Sequence, residues 1–95
     1  MNQFTIRVEI HMATEQNYLN LHTEMERRKC TRFIQNDNDG IWYQLPNAEY
    51  CYNGYLDINE VLRLAQEALS IIGVSGEILV TQAVNTSWAG LHRAR

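Results

Sequence analysis

The feature of this sequence that most constrains its fold is the order in which strand-like and helix-like periodicities follow one another. Side chains alternate between apolar and polar over residues 4–11, apolar residues recur at helical spacing over residues 15–28 and 58–72, and alternation returns over residues 77–83. Between the helices, two strand-like runs meet at Asp39-Gly40, which supplies the positive-φ positions of a hairpin. The order β-α-β-β-α-β predicts a ferredoxin-like plait, an α+β fold in which two helices cover one face of a four-stranded antiparallel sheet.

The first strand is predicted to expose a row of charged side chains. Its even positions are apolar and its odd positions polar, so a period of two places the even set against the helices and the odd set on the opposite face. Along that odd set, Glu9 and His11 are candidates for the base and acid that act on an RNA 2′-OH, and Arg7 for stabilising the charge that develops on phosphorus. Two other interpretations stay open: a plain solvated face, or a salt-bridge row across a dimer.

Capping signals set the boundaries of both helices. Thr14 can accept a hydrogen bond from an orphan backbone N–H at the start of the first helix. Asp57 and Glu60 form a capping box, which predicts that the second helix starts within one residue of Ile58, and Gly73 is a natural C′ residue at its end. The predicted buried stripes comprise Tyr18, Leu21 and Met25 in the first helix, with His22 as a further candidate, and Val61, Leu64, Ala65, Ala68, Leu69 and Ile72 in the second.

The middle and the end of the chain carry weaker signals. Pro46 cannot donate to a ladder, so a bulge or break is expected there, between a strand at 41–45 and a strand-like run at 49–52. After Val84 the periodicity is lost, so residues 85–95 are expected to form an irregular tail in which Trp88 and Leu91 can fold back on the sheet. With 95 residues, the chain is expected to form one domain.

Half of the basic residues of the chain lie close together at the end of the first helix. Arg27, Arg28, Lys29 and Arg32 account for four of the eight lysines and arginines. This cluster is a candidate phosphate-binding site for RNA, although cations at a helix C-terminus also complement the helix dipole, and the two interpretations carry equal weight. The net charge of -3 argues against a strongly electrostatic nucleic-acid binder but leaves room for a local patch.

Cysteine and histidine spacing predicts neither a metal site nor a cofactor. Cys30 and Cys51 stand in no metal-binding spacing and are expected to be free thiols. The histidines show no paired-ligand spacing, and no nucleotide-binding or nucleophile motif is present. No apolar run approaches the roughly 18 residues of a membrane span, and no signal peptide is visible, so a cytoplasmic location is expected.

Aromatic residues are concentrated around the third predicted strand. Trp42, Tyr43, Tyr50, Tyr52 and Tyr55 fall in this region, but their spacing does not match the base-stacking motif of RNA-binding plaits. Some are expected to pack the core and others to fill a homodimer interface, where Tyr and Trp are enriched.

The segment 42–50, of sequence WYQLPNAEY, together with a first helix that carries Tyr18 and Met25, resembles a family of small bacterial proteins. That family is grouped with the GhoS-type antitoxins of type V toxin-antitoxin systems, described as sequence-selective endoribonucleases that cut the toxin messenger RNA. The resemblance spans most of residues 4–83. It implies a ferredoxin-like fold, metal-independent cleavage of single-stranded RNA without a cofactor, and a basic residue on the first helix, a position that Arg27 and Arg28 match loosely. The alternative function is a non-enzymatic interaction module that dimerises through its open sheet face.

Overall fold

Residues 1–94 form an α+β structure of two helices and five strands. They are the residues that this computed structural model describes, and Arg95, the last residue of the predicted tail, lies outside them. The elements are β1 (Asn2–Ile10), α1 (Glu15–Arg27), β2 (Phe33–Gln35), β3 (Trp42–Gln44), β4 (Glu49–Gly54), α2 (Ile58–Ile72) and β5 (Gly76–Ala83).

β1 is the central strand of a three-stranded antiparallel sheet in the order β4-β1-β5. Ile6 lies opposite Tyr50 on β4 and opposite Val80 on β5, so these three side chains share one face. Arg7 lies opposite Glu49 and Leu79 on the other face. The alternation predicted from residue 4 onward is therefore confirmed, since Phe4, Ile6, Val8 and Ile10 are buried and the odd residues between them face away from the helices.

The prediction of a four-stranded ferredoxin-like plait is wrong. β2 and β3 pair with each other in a separate two-stranded sheet. Beyond β4, in the described residues 1–94, a single isolated bridge between Thr31 and Cys51 occupies the position of a fourth strand. The Thr31 hydroxyl donates to the Phe33 carbonyl oxygen at 3.0 Å, a local bond that competes with continued pairing to β4. A turn closed by the Glu49 N–H on the Pro46 carbonyl oxygen, at 3.0 Å, separates β3 from β4, which confirms the break at Pro46.

Both helices begin where the capping signals place them. α1 starts after Thr14, whose side chain accepts from the Asn17 N–H. α2 starts at Ile58, with the Asp57 carboxylate accepting from the Glu60 N–H at 2.9 Å and the Glu60 carboxylate accepting in return from the Asp57 N–H at 3.1 Å. α2 ends at Ile72, and Gly73 directly after it adopts the left-handed conformation that a C′ glycine favours.

The main core lies between the two helices and one face of the three-stranded sheet. Apolar side chains from the even positions of β1 are fully or almost fully buried there, which is the main source of stability in a domain of this size. The buried set comprises Phe4, Ile6, Val8, Ile10, Leu21, Met25, Cys30, Tyr50, Tyr52, Val61, Ala65, Ala68 and Leu69.

A smaller core lies on the opposite face of β4. Ile34, Leu45 and Cys51 are buried there, and Trp88 and Leu91 from the segment after β5 pack against them. The expectation that Trp88 and Leu91 fold back is confirmed. Within residues 1–94 this second core covers β4 at Cys51, and the exposed odd residues of β1 and β5 lie beyond it on the same face.

The two cysteines lie in different cores. Cys30 belongs to the main core and Cys51 to the smaller one, and both are buried free thiols, as predicted. Burial raises the pKa of the Cys30 thiol to about 12 and also raises the pKa of Cys51.

Candidate functional site

The open part of the sheet carries an ion pair and a histidine–carboxylate contact at the C-terminal end of β1. An Arg7 Nη2 donates to Glu9 Oε1 at 3.0 Å. Next to them, His11 Nε2 lies 3.2 Å from Glu77 Oε1, which comes from β5. All four side chains are more than half exposed, so the row of residues that the sequence predicts is accessible to a ligand.

Glu77 is the member of this site that sequence reasoning missed. It lies directly opposite Glu9 in the β1–β5 register. Like charges opposite each other on a sheet are unfavourable, so Arg7 beside one carboxylate and His11 beside the other relieve the repulsion. His11 therefore contacts the Glu77 carboxylate, and Arg7 contacts the neighbouring Glu9 carboxylate, on the same open face of the sheet.

A shallow groove of about 300 Å³ runs along this surface. It is lined by Arg7, Glu9, Glu77, Ile78 and Leu79. Leu79 lies opposite Arg7 in the register and is 65% exposed. The groove thus offers charged groups of both signs beside an apolar surface.

The four residues of the predicted basic cluster differ in burial and in their partners. Arg27 donates to Glu24 at 3.0 Å and is largely exposed. Arg28 is mostly buried and donates both to the Glu24 carboxylate at 3.1 Å and to the Glu24 carbonyl oxygen at 2.9 Å. Its Nε also lies 3.6 Å from Glu67 on α2, so Arg28 joins the two helices.

Arg32 and Lys29 have different surroundings from Arg27 and Arg28. The Nε of Arg32 is buried and has no hydrogen-bond partner. Lys29 is exposed, at a left-handed φ of 62°. Arg27 and Lys29 are both exposed, and Arg27 is already paired with Glu24.

The basic cluster lies apart from the row of Arg7, Glu9 and His11 on the open face of the sheet, here called the open-face row. The Tyr18 hydroxyl accepts from the Ile10 N–H at 3.2 Å, so the start of α1 lies near the end of β1 and the helix runs back along the sheet. From Tyr18 to Arg28 this is about 15 Å of helix. The cluster lies on the helix side of the sheet and His11 on the open side, so the structure does not bring the two predicted halves of the site together.

A buried polar network lies under α1. His22 Nδ1 lies 2.6 Å from the Tyr50 hydroxyl, and His22 Nε2 lies 3.0 Å from Asn47 Oδ1. Burial lowers the pKa of His22, and the nearby Arg32 lowers it further, while Asn47 and Glu26 oppose the shift. A histidine within a buried stripe needs polar partners. This requirement is the signal from which a hydrogen bond between His22 and a buried hydroxyl such as that of Tyr50 could have been predicted.

The aromatic residues are divided between the two cores and the surface. Tyr50 and Tyr52 are buried in the main core, and Tyr43 packs on Trp88 with ring centroids 5.5 Å apart. Trp42 and Tyr55 are exposed. None of these rings lies on the open part of the sheet beside Arg7.

Two negative findings hold for residues 1–94. No group of three or more His, Cys, Asp or Glu side chains is placed to hold a metal ion. Neither α1 nor α2 is long and apolar enough to cross a bilayer, and no other helix occurs in this part of the chain.

Comparison with known proteins adds no assignment to this geometry. No protein-family model matches the chain, and no curated protein matches it.

Proposed function

We propose that this protein is an endoribonuclease that acts on single-stranded RNA at the open face of its sheet. The observation that carries the proposal is the contact of 3.2 Å between His11 Nε2 and Glu77 Oε1, next to the Arg7–Glu9 pair on the same exposed surface. A histidine held by a carboxylate beside an arginine provides a base and a positive charge. These are the groups that internal attack of an RNA 2′-OH on its phosphate requires.

The cleavage step uses side chains of this chain and one proton from solvent. In the tautomer in which Nε2 donates to Glu77, His11 Nδ1 removes the proton of the 2′-OH, and the 2′ oxygen forms a bond to phosphorus. The bond from phosphorus to the 5′ oxygen breaks, the leaving oxygen takes up a proton from a solvent water, and His11 later releases its proton to solvent. The products are a 2′,3′-cyclic phosphate and a 5′-OH end, with no change in oxidation state and no need for a metal.

Each residue of the row has a defined task in this proposal. Glu77 orients the His11 ring and stabilises its protonated form after proton transfer. Arg7 donates to the phosphate oxygens as negative charge develops, since its guanidinium remains 59% exposed beside Glu9. Glu9 accepts from Arg7 at 3.0 Å and so holds the guanidinium at the groove.

The resemblance to the antitoxin family supplies the substrate class. By this proposal the protein acts in the bacterial cytoplasm on a toxin messenger RNA, and Arg27 and Lys29 contribute phosphate contacts distant from the cleaved bond. The net charge of -3 predicts weak nonspecific binding, so selectivity must come from contacts to unpaired bases.

Cleavage of a panel of fluorescently end-labelled RNAs tests the proposal. Purified wild type is expected to cut in the presence of EDTA and to leave a cyclic phosphate, identified by mass spectrometry of the fragments. His11→Ala should lower turnover with RNA binding largely retained, because the base acts in the chemical step. A substrate carrying a 2′-O-methyl group at the cut site should be resistant.

His92→Ala is the matched control, because His92 is another exposed histidine and lies outside the row. It should cut at the wild-type rate. Equal cleavage by wild type, His11→Ala and His92→Ala prepared in the same way would indicate a contaminating nuclease and would refute the proposal.

A second candidate function has an observation of its own. The exposed Leu79 on an edge strand is the kind of surface that a non-enzymatic interaction module presents to a partner. If the RNA panel shows no His11-dependent cleavage, this function takes precedence.

A further inference from the structure

The direction of the backbone groups along β5 follows from two hydrogen bonds of β1. The His11 N–H donates to the Ser75 carbonyl oxygen at 3.0 Å, and the Val8 N–H donates to the Ala48 carbonyl oxygen, next to β4, at 2.9 Å. In an antiparallel sheet such bonds alternate along a strand. The odd residues of β1 therefore bond to β5, and the even residues bond to β4.

The outer edge of β5 is consequently lined by unpaired backbone groups. Leu79 and the other odd residues of β5 lie opposite odd residues of β1 and bond to them. The N–H and C=O groups of Ile78, Val80 and Gln82 point outward. In the part of the chain that the structure describes, β5 pairs with β1 alone, and no isolated bridge involves this edge.

This edge lacks the features that protect edge strands from pairing. β5 is eight residues long and contains no lysine and no proline. Its single charge is Glu77, and its centre is the apolar run of residues 78–80. A long apolar edge of this kind is a site at which another strand adds to the sheet.

We propose that the strand which pairs with this edge is β5 of a second copy of the chain. The two strands run antiparallel about a twofold axis at Leu79, so that Leu79 lies opposite Leu79 of the copy. Ile78 then lies opposite Val80, and Glu77 opposite Thr81. The two three-stranded sheets become one continuous sheet, with all four helices on the same side.

Self-complementarity favours a second copy over a foreign strand. Ile78 and Val80 both direct their backbone groups outward, so this register makes them a hydrogen-bonded pair with apolar side chains opposite each other. Glu77 meets the hydroxyl of Thr81, and the two Glu77 side chains stay apart. A register centred on Val80 would instead place Leu79 opposite Thr81 and lose these matched pairs.

The same register explains the exposure of Leu79. This side chain is 65% exposed in the single chain, and its copy would cover it across the twofold axis. The open-face rows of the two copies would then lie on one continuous surface, with the two Leu79 side chains between them. The proposal concerns assembly and does not depend on the proposed RNA cleavage.

The first test measures the mass in solution of the wild type and of a variant that carries a charge at the twofold axis. Wild type should sediment at twice the chain mass of 11.1 kDa, and Leu79→Lys at 11.1 kDa, because two lysines would face each other. Circular dichroism should show that Leu79→Lys is folded, since the side chain is not part of the core. Ile71→Lys is the matched control: Ile71 is a 61% exposed aliphatic residue on α2, and this variant should remain dimeric.

Cysteine crosslinking tests the register. Residues opposite each other in a non-hydrogen-bonded antiparallel pair have Cα atoms about 4.5 Å apart, which suits a disulfide. Leu79→Cys should therefore form a covalent dimer on mild oxidation, whereas Thr81→Cys, which would face Glu77, should not. Cys30 and Cys51 are buried and should not interfere.

Either of two results would overturn the proposal. One is a wild-type mass of 11.1 kDa across a hundredfold range of concentration, which would show that the β5 edge does not pair with a second copy of the chain. The other is a dimer that survives Leu79→Lys and gives no crosslink with Leu79→Cys, which would place the interface elsewhere.

Discussion

His22 and Tyr50 are joined inside the protein by a contact of 2.6 Å between the imidazole Nδ1 and the phenolic oxygen. Because Asn47 Oδ1 can only accept, His22 Nε2 carries the proton, and Nδ1 accepts from the Tyr50 hydroxyl. The neutral ring therefore satisfies both partners. A second proton on Nδ1 would point at the tyrosine oxygen and force its hydroxyl to find another acceptor in a fully buried position.

This arrangement predicts that the protein loses stability as pH falls through the ordinary pKa of histidine. Burial lowers the pKa of His22 below its usual 6.5, so the unfolded chain takes up a proton at a pH where the folded chain does not. The loss becomes appreciable within about one pH unit above 6.5 and steepens as pH falls through 6.5, with a maximum slope of about 1.4 kcal/mol per pH unit until the folded-state pKa is reached. Well above this range His22 contributes almost no pH dependence.

Urea unfolding from pH 7.5 to 5 measures this effect. His22→Gln keeps a neutral hydrogen-bonding side chain and is the control, because it retains every other titrating group. The difference between the wild-type and His22→Gln profiles should grow as pH falls. Parallel profiles would show that His22 titrates alike in both states.

Arg27 and Arg28 are adjacent in sequence, yet their replacement is predicted to have different effects. Arg28→Ala removes bonds to two oxygens of Glu24 and the contact of 3.6 Å with Glu67, and should cost about 1–3 kcal/mol. Arg27→Ala removes an exposed pair and should change stability by less than about 0.5 kcal/mol. Thermal unfolding of both variants distinguishes them, and equal losses would contradict the role of Arg28 in joining α1 to α2.

This difference decides which variant tests phosphate binding. A double Arg27→Ala/Arg28→Ala variant is expected to lose RNA binding and to reduce the salt dependence by up to about two phosphate contacts. However, part of its effect would come from lost stability. Arg27→Ala/Lys29→Ala removes the same charge without disturbing the helix pair. If phosphate contacts are made at this helix end, the second variant should reduce the salt dependence by a similar amount.

Local signals allowed parts of the fold to be predicted from the sequence. Asp57 and Glu60 form their two hydrogen bonds within three residues, and Pro46 acts through its own missing N–H, so neither depends on the rest of the chain. Strand pairing is different in kind. The local sequence around Thr31 is compatible both with a strand along β4 and with the single bridge to Cys51 that is observed. The free-energy difference between these two arrangements depends on residues far away in the sequence.

The candidate site shows the same limit. Alternation along β1 placed Arg7 and Glu9 on one face correctly, and His11 follows directly after the strand. The partner of His11 is Glu77, 66 residues away in sequence, and only the β1–β5 register brings the two together. A shift of this register by one residue would have turned Glu77 to the helix side, which no pattern within β5 excludes.

The cap of α2 is predicted to contribute measurably to stability. Asp57→Ala removes the acceptor for the Glu60 N–H, and the cost should be about 0.5–2 kcal/mol. Asp57→Asn keeps an acceptor oxygen and should lose much less. Urea midpoints of the two variants provide the comparison, and an unchanged midpoint for Asp57→Ala would mean that the cap is not stabilising.

Gly76 is predicted to be required for the position of His11. A Cβ at Gly76 would collide with the Glu9 carbonyl oxygen and lie 3.2 Å from the Ile10 Cα, and both are backbone atoms that a rotamer change cannot move. Gly76→Ala should therefore separate the start of β5 from the end of β1, at a cost of about 1–3 kcal/mol. The adjacent His11–Ser75 bond of 3.0 Å lies at the same end of the ladder and should weaken with it.

Gly73→Asn is the control for Gly76→Ala, because Gly73 precedes the same strand but has open space around it. Asparagine tolerates the left-handed region, so the cost should stay below the roughly 1–2 kcal/mol that this conformation imposes on most side chains. Amide hydrogen exchange at His11 should accelerate in Gly76→Ala and stay unchanged in Gly73→Asn. Unchanged exchange in both variants would mean that the end of β1 accommodates the methyl group, and the close approach of Gly76 to Glu9 would then not determine where His11 lies.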